Sequence, residues 1–109
     1  MLTKSDGFMA LVKAASAKDV APGRMKGMKV GGNDVVIANL GGKFYAIGGK
    51  CTHMGCRLSS GMLEGENVRC PCHGSVFSLK TGKIVKGPAK KDEPSYAVNV
   101  SGSDLMVDA

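Results

Sequence analysis

The chain has 109 residues, of which 43% are apolar, and 15 basic side chains against nine acidic ones give a net charge of +6. That length fits one domain burying about two-thirds of its unfolded surface, and no apolar run reaches the roughly 18–20 residues of a membrane span. The basic excess is not arranged for reading nucleic acid, because no basic run is interleaved with aromatics.

The 16 glycines are about double the usual share of roughly 7%, which suits short strands joined by tight turns. With no Trp, three Phe and two Tyr, so small a core needs an aid such as a metal centre or a disulfide.

In chain order, the opening MLTKSDGFMALVKAAS is too short and too interrupted in its apolar stretch for a secretion signal. With Met1 as the true start, this predicts a soluble cytoplasmic protein. Residues 8–18 fit two patterns, since Phe8, Leu11, Val12 and Ala15 also match one helix face. The reading adopted is a strand entering a short turn near 16–19. Apolar stretches follow at 35–40 and 44–47, with Gly31-Gly32-Asn33 before them and Gly41-Gly42 between them. Paired glycines accept positive φ without steric cost, so 41–42 predicts a hairpin turn.

Further turns are expected at Glu64-Gly65-Glu66, Thr81-Gly82 and Ser101-Gly102-Ser103, with apolar stretches at 76–79 and 97–100. Tyr96, Val98 and Val100 alternate with Ala97, Asn99 and Ser101, the period of a half-buried strand. Strands and turns at this spacing predict an all-β domain built of hairpins. Lys80, Lys83, Lys86, Lys90 and Lys91 fall within twelve residues. They read as a solvated face that keeps the protein soluble, or as a docking face whose charge raises the encounter rate with an acidic partner.

All four cysteines and both histidines lie between 51 and 73, as CTHMGC and CPCHGS separated by RLSSGMLEGENVR. The pairs Cys51-x-His53 and Cys70-x-x-His73 each bring one thiolate and one imidazole onto a loop. Zinc accepts two Cys and two His, although its common patterns group like ligands together. A disulfide scaffold is the other plain reading, and it leaves the placement of the only two histidines unexplained.

CTHMGC and CPCHGS match the two signature boxes of the Rieske iron–sulfur proteins. KFYAIGGKCTH and VFSLKTGKIV resemble the soluble Rieske ferredoxins, so the likeness covers about residues 35–90. The resemblance implies the Rieske fold, an antiparallel β-sandwich of hairpins with a small cluster-binding subdomain. The single domain 1–109 then divides into a basal part, 1–50 and 92–109, and a cluster-binding part, 51–91. It implies one [2Fe-2S] cluster, with Cys51 and Cys70 on the inner iron and His53 and His73 on the outer one through Nδ1. Two ferric ions, two sulfides and two thiolates sum to zero charge, so this centre takes an electron more easily than a four-thiolate cluster. Proton uptake at alkaline pH is expected to accompany reduction, through the imidazoles.

The resemblance also gives roles to neighbours. In the Rieske proteins of quinol-oxidising complexes, cysteines at the positions of Cys56 and Cys72 form a disulfide, which most dioxygenase ferredoxins lack. Ser75 matches the serine that donates a hydrogen bond to a bridging sulfide in high-potential members. Phe77 stands where those members carry a tyrosine, so its ring can pack but one donor is missing. An intermediate potential is implied, inside the family range of about −150 to +300 mV. Met54 and Gly55 sit on the first loop, Gly87-Pro88 resembles the segment covering the cluster from a third side, and Lys90 and Lys91 follow at once. Met54, Gly55, Pro88, Lys90 and Lys91 are therefore the expected docking tip.

The function implied is a one-electron carrier, a component of an oxidoreductase system and not an enzyme alone. It would pass electrons from a reductase to a terminal oxidoreductase such as an oxygenase, as a monomer meeting redox partners. The alternative is a respiratory or quinol-linked carrier, or a small subunit of a larger enzyme such as a nitrite reductase.

Overall fold

The computed structural model describes residues 11–52, 55–72 and 74–108. Its strands run in the order β1 Leu11–Ser16, β2 Arg24–Val30, β3 Asn33–Leu40, β4 Lys43–Gly48, β5 Met62–Glu64, β6 Asn67–Arg69, β7 Val76–Ser78, β8 Ile84–Lys86, β9 Ser95–Tyr96, β10 Val98–Ser101 and β11 Asp104–Asp108. Single 3-10 turns, Ala17–Asp19 and Leu58–Ser60, are the helical elements among the described residues. Among the described residues three antiparallel sheets result, in the orders β1-β11-β10, β2-β3-β4-β9 and β5-β6-β7-β8.

The middle sheet explains the layering. In β3 the run Val35-Val36-Ile37-Ala38 is apolar at every position, the pattern of a strand covered on both faces. Successive side chains point to opposite faces. Val36 and Ala38 accordingly join a core with Ile47, Leu58, Val68, Phe77 and Leu79, while Val35 and Ile37 join one with Val20, Val30, Ala46, Leu105 and Val107. The first core lies towards the β5–β8 sheet and contains Cys51 and Cys70; the second lies towards the β1-β11-β10 sheet. Two thin cores sharing one strand thus replace the single aromatic core that the composition denies.

The expected hairpin turn at 41–42 is present, and the turns expected around 31–33, 64–66, 81–82 and 101–103 also fall where consecutive strands are joined. The early strand and its turn fall at Leu11–Ser16 and Ala17–Asp19, and the part of that expectation at residues 8–10 lies outside the described residues. One reading is corrected. The alternation Tyr96, Val98, Val100 is not a single half-buried strand, because β9 pairs with β4 whereas β10 pairs with β11. The chain changes sheets at Ala97, and Val100 stands 52% exposed. Alternation reports which residues share a side, not which partner covers that side.

Candidate metal centre

Two loops carry the four cysteines, and they share one backbone design. The first follows β4 and is closed by an isolated antiparallel bridge between Lys50 and Arg57. The second joins β6 to β7, where Arg69 pairs with Val76. In the first, Cys51 N–H donates to Cys56 O at 2.8 Å and Gly55 N–H donates to Cys51 O at 2.8 Å. In the second, Cys70 N–H donates to Ser75 O at 2.7 Å and Gly74 N–H to Cys70 O at 3.2 Å. Gly55 and Gly74 turn each chain back at φ +75° and +79°, a conformation glycine takes without a Cβ clash. Each box therefore sets its first cysteine at the loop base. The shared Cys-x-x-x-Gly-x spacing was the available signal for this internal match.

Cys51 and Cys70 are buried, at 3% and 2% exposure, within the first core. Cys56 and Cys72 form a disulfide between the loops, with Cα atoms 6.4 Å apart, inside the usual span of about 4.4–6.8 Å. The sulfurs of Cys56, Cys70 and Cys72 lie within 4.8 Å of one another. Two of these are bonded to each other, so the arrangement is a buried Cys70 thiol beside the bridge and not a three-thiolate site.

Ser75 and Phe77 are fully buried under the second loop. Ser75 Oγ accepts the Ala89 N–H at 2.9 Å, which leaves the hydroxyl proton to donate elsewhere. Phe77 packs in the first core opposite Val68, so the plain packing reading of its ring holds. Arg69 steadies the same loop. Its Nε and Nη2 donate to the two Glu64 oxygens at 2.6 and 3.0 Å, and Nη1 reaches Gly74 O at 3.4 Å. The fork-to-carboxylate geometry is bidentate; the guanidinium holds the Glu64 carboxyl below its ordinary pKa, and Glu64 in turn raises that of Arg69.

A strap over residues 87–94 closes the third side. Besides the Ala89 bond, Lys91 O accepts from Thr52 Oγ1 at 2.7 Å and Asp92 Oδ1 from Ile84 N–H at 2.9 Å. Glu93 N–H donates to Gly82 O at 2.7 Å, and Pro94 O accepts from Gly48 N–H at 2.9 Å. The strap is thus bonded to Thr52 in the first loop and Ser75 in the second. The Glu93 carboxylate is buried, at 5% exposure; it accepts the backbone N–H of Thr52, and burial pushes its pKa up to about 7. Sequence reasoning missed both Arg69 and Glu93, the latter because it ends the KKDE stretch, which reads as solvated charge.

Of the expected site residues, Cys51, Cys70, Cys56, Cys72, Ser75 and Phe77 gather around the two loops. His53, Met54 and His73 lie outside the described residues. Gly55 is exposed on the first loop, while Pro88, Lys90 and Lys91 join Thr52 in lining an open depression of about 530 Å³. The lysine stretch is not uniformly unpaired, since Lys80 bonds Glu66 at 2.9 Å and stands over the Tyr45 ring.

The family model of the Rieske [2Fe-2S] domain matches residues 10–99. The chain belongs to that family. This Rieske protein is 37% identical over 100 residues to the biphenyl 2,3-dioxygenase ferredoxin component of Rhodococcus jostii (strain RHA1), across 92% of this chain and 94% of that one. It superposes with a TM-score of 0.84 and 30% identity on a structure described as a complex of reduced oxygenase and oxidised ferredoxin in carbazole 1,9a-dioxygenase, covering 92% of this chain and 94% of that one. A cyanobacterial plasma membrane Rieske protein from Synechocystis PCC 6803 gives 0.71 and 30%, covering 90% and 99%. The cofactor of the Rieske domain is one [2Fe-2S] cluster, and its role is to carry electrons. The donor chemistry fits that group: two cysteines at equivalent bases of matched loops are buried and take no part in the disulfide, with a histidine in each box. Among the described residues, no helix is long and apolar enough to cross a membrane.

Proposed function

We propose that this Rieske protein holds its cluster through Cys51, His53, Cys70 and His73 and passes single electrons from a reductase to a terminal oxygenase. The observation that carries the reading is the pair of buried cysteines on two loops with the same hydrogen-bond plan. The likeness to dioxygenase ferredoxin components over more than nine-tenths of the chain supports an oxygenase as the acceptor.

When bound, the cluster supplies a centre that gains and loses one electron. The protein's own residues do the rest. Cys51 and Cys70 anchor it from the core, the Cys56–Cys72 bridge holds the loops together, and the Ser75 hydroxyl donates to it. In this reading His53 and His73 complete the ligand set, and residues 51–91 form the cluster-binding part of the domain. Docking uses the tip around Met54, Gly55, Pro88, Lys90 and Lys91 against an acidic surface, by a monomer in the cytoplasm.

The second reading, a respiratory carrier of higher potential, is favoured by the Cys56–Cys72 disulfide and by the likeness to the cyanobacterial membrane protein. Measuring the potential separates the two. A value near the lower end of about −150 to +300 mV supports the oxygenase ferredoxin, and one well above zero supports the respiratory carrier. In the same preparation Cys51→Ser and Cys70→Ser are expected to lose the visible and EPR signatures of the cluster. A wild-type protein that stays colourless and takes up only zinc after anaerobic reconstitution would sink the ligand assignment.

A further inference from the structure

Glu93 has no place in the ligand set, yet it is the one buried acidic residue among the described residues. Its surroundings do not suit a permanent charge. One oxygen accepts the Thr52 N–H, Oε2 has no hydrogen-bond partner among the described residues, and Gly48 lies against Oε1 so closely that a Cβ would not fit. Among the described residues no basic group pairs with it. An ionised carboxyl in such a place is costly, because burial strips it of solvent and no described cation pairs with it. The backbone holds it there: Glu93 N–H is bonded to Gly82 O, and Gly48 N–H is bonded to the next carbonyl, Pro94 O.

The position is what gives this carboxyl a use. Thr52 lies between Cys51 and His53 in the first box, so its N–H links Glu93 directly to the segment that carries two of the assigned ligands. The inference rests on that assignment. We propose that Glu93 is a buried proton-accepting residue of electron transfer, its ionised form taking a proton from solvent hydronium when an electron enters behind the first cysteine loop. The electron comes from the reductase, and the proton comes from a hydronium ion of the bulk solvent, which breaks one O–H bond and leaves water. The carboxylate becomes a carboxylic acid by forming one O–H bond, and reoxidation by the acceptor returns both.

Electrostatics sets the direction. Added negative charge nearby disfavours a second negative charge, so reduction raises the proton affinity of a group that burial already places near neutrality. The titratable neighbour on β9 is Tyr96, whose proton is held on by its own burial and then by the Glu93 charge. On the strap, Asp92 is bound to Ile84 and Lys91 lines the open depression. β4 presents Gly48 and the β7–β8 turn presents Gly82. The first loop presents Thr52, with His53 outside the described residues.

The test is the reduction potential of the holoprotein across pH, for wild type and Glu93→Gln, which keeps the shape and cannot titrate. In the wild type the potential is expected to fall as pH rises through neutrality and to level off on either side. In E93Q the neutral fall is lost, while any alkaline fall from the imidazoles remains. A neutral fall that survives in E93Q, or a wild type flat through neutrality, overturns the proposal. Should E93Q fail to fold, redox-difference infrared spectra of the wild type decide it: reduction must create a protonated-carboxyl band, and its absence is equally fatal. EPR on the same samples keeps the two readings apart, since an all-cysteine cluster signature refutes the histidine ligands while leaving the Glu93 profile to be judged alone.

Discussion

Glu93 and Ser75 are both buried polar residues under the cluster loops, and they settle their hydrogen-bonding needs differently. Ser75 accepts one backbone N–H and keeps a proton to donate. Glu93 is left with an oxygen that no described residue satisfies, and its pKa rises from 4.5 to about 7. The folded protein therefore binds that proton more tightly than the unfolded chain does. Its contribution to stability is complete below pH 4.5 and is lost as pH rises through 7, a difference on the order of 3 kcal/mol. Denaturant melts of the oxidised holoprotein at about pH 5 and about pH 8 should show the wild type weaker at the higher pH, with most of that difference absent in Glu93→Gln. Equal slopes in the two proteins would contradict it. The exposed pairs Lys13–Asp104 and Lys50–Asp34, both at 3.2 Å, carry no comparable weight, since such pairs contribute about 0–1 kcal/mol. At this scale the cysteines were legible because their types and spacing are chemically specific. Glu93 was not, because burial is a property of what packs above a side chain and leaves no mark on the residue itself.

The hairpin loops show how far local sequence determines an element. Gly55 and Gly74 sit four residues after Cys51 and Cys70 and turn the chain with positive φ, so the two loops are built from local geometry. What joins them is long-range. The Cys56–Cys72 bridge spans 16 residues, and a loop of that length is worth about 3 kcal/mol in the chain-entropy treatment. In the proposed ligand set Cys51 and Cys70 close nearly the same loop, so the bridge should matter most when the cluster is absent. The double variant Cys56→Ser/Cys72→Ser is expected to lower the stability of the apoprotein by up to about 3 kcal/mol and that of the holoprotein by less. Equal losses in the two forms, measured by urea unfolding, would show that the bridge and the cluster do not constrain the same loop. The strand pattern was legible where both faces are covered, as in β3, and misread at 96–100, where the chain passes from one sheet to another.

At the scale of the fold, three sheets of the described residues enclose two small cores, and the two cysteine loops are rooted in one of them through Cys51 and Cys70. The strap brings Lys90 and Lys91 beside Thr52, so part of the basic excess borders the first loop. Lys80 is instead engaged with Glu66. Charge reversal at Lys90 and Lys91 is expected to slow electron delivery to the acceptor at low salt. The effect should fade as ionic strength rises, because the Debye length shrinks from about 30 Å at 0.01 M to about 8 Å at 0.15 M. Stopped-flow kinetics at the two salt concentrations checks this, and unchanged rates at low salt would remove the lysines from the docking surface.

By itself the sequence determined the all-β class, the hairpin turns and the Cys and His boxes, since glycine conformation, apolar periodicity and ligand chemistry act over a few residues. Only the tertiary structure decided the sheet change at Ala97, the two-sided burial around β3 and the strap tied to Thr52 and Ser75. It also decided the isolation of Glu93. Each of these depends on contacts between segments far apart in the chain, where packing and the removal of water, rather than local preference, set the energy.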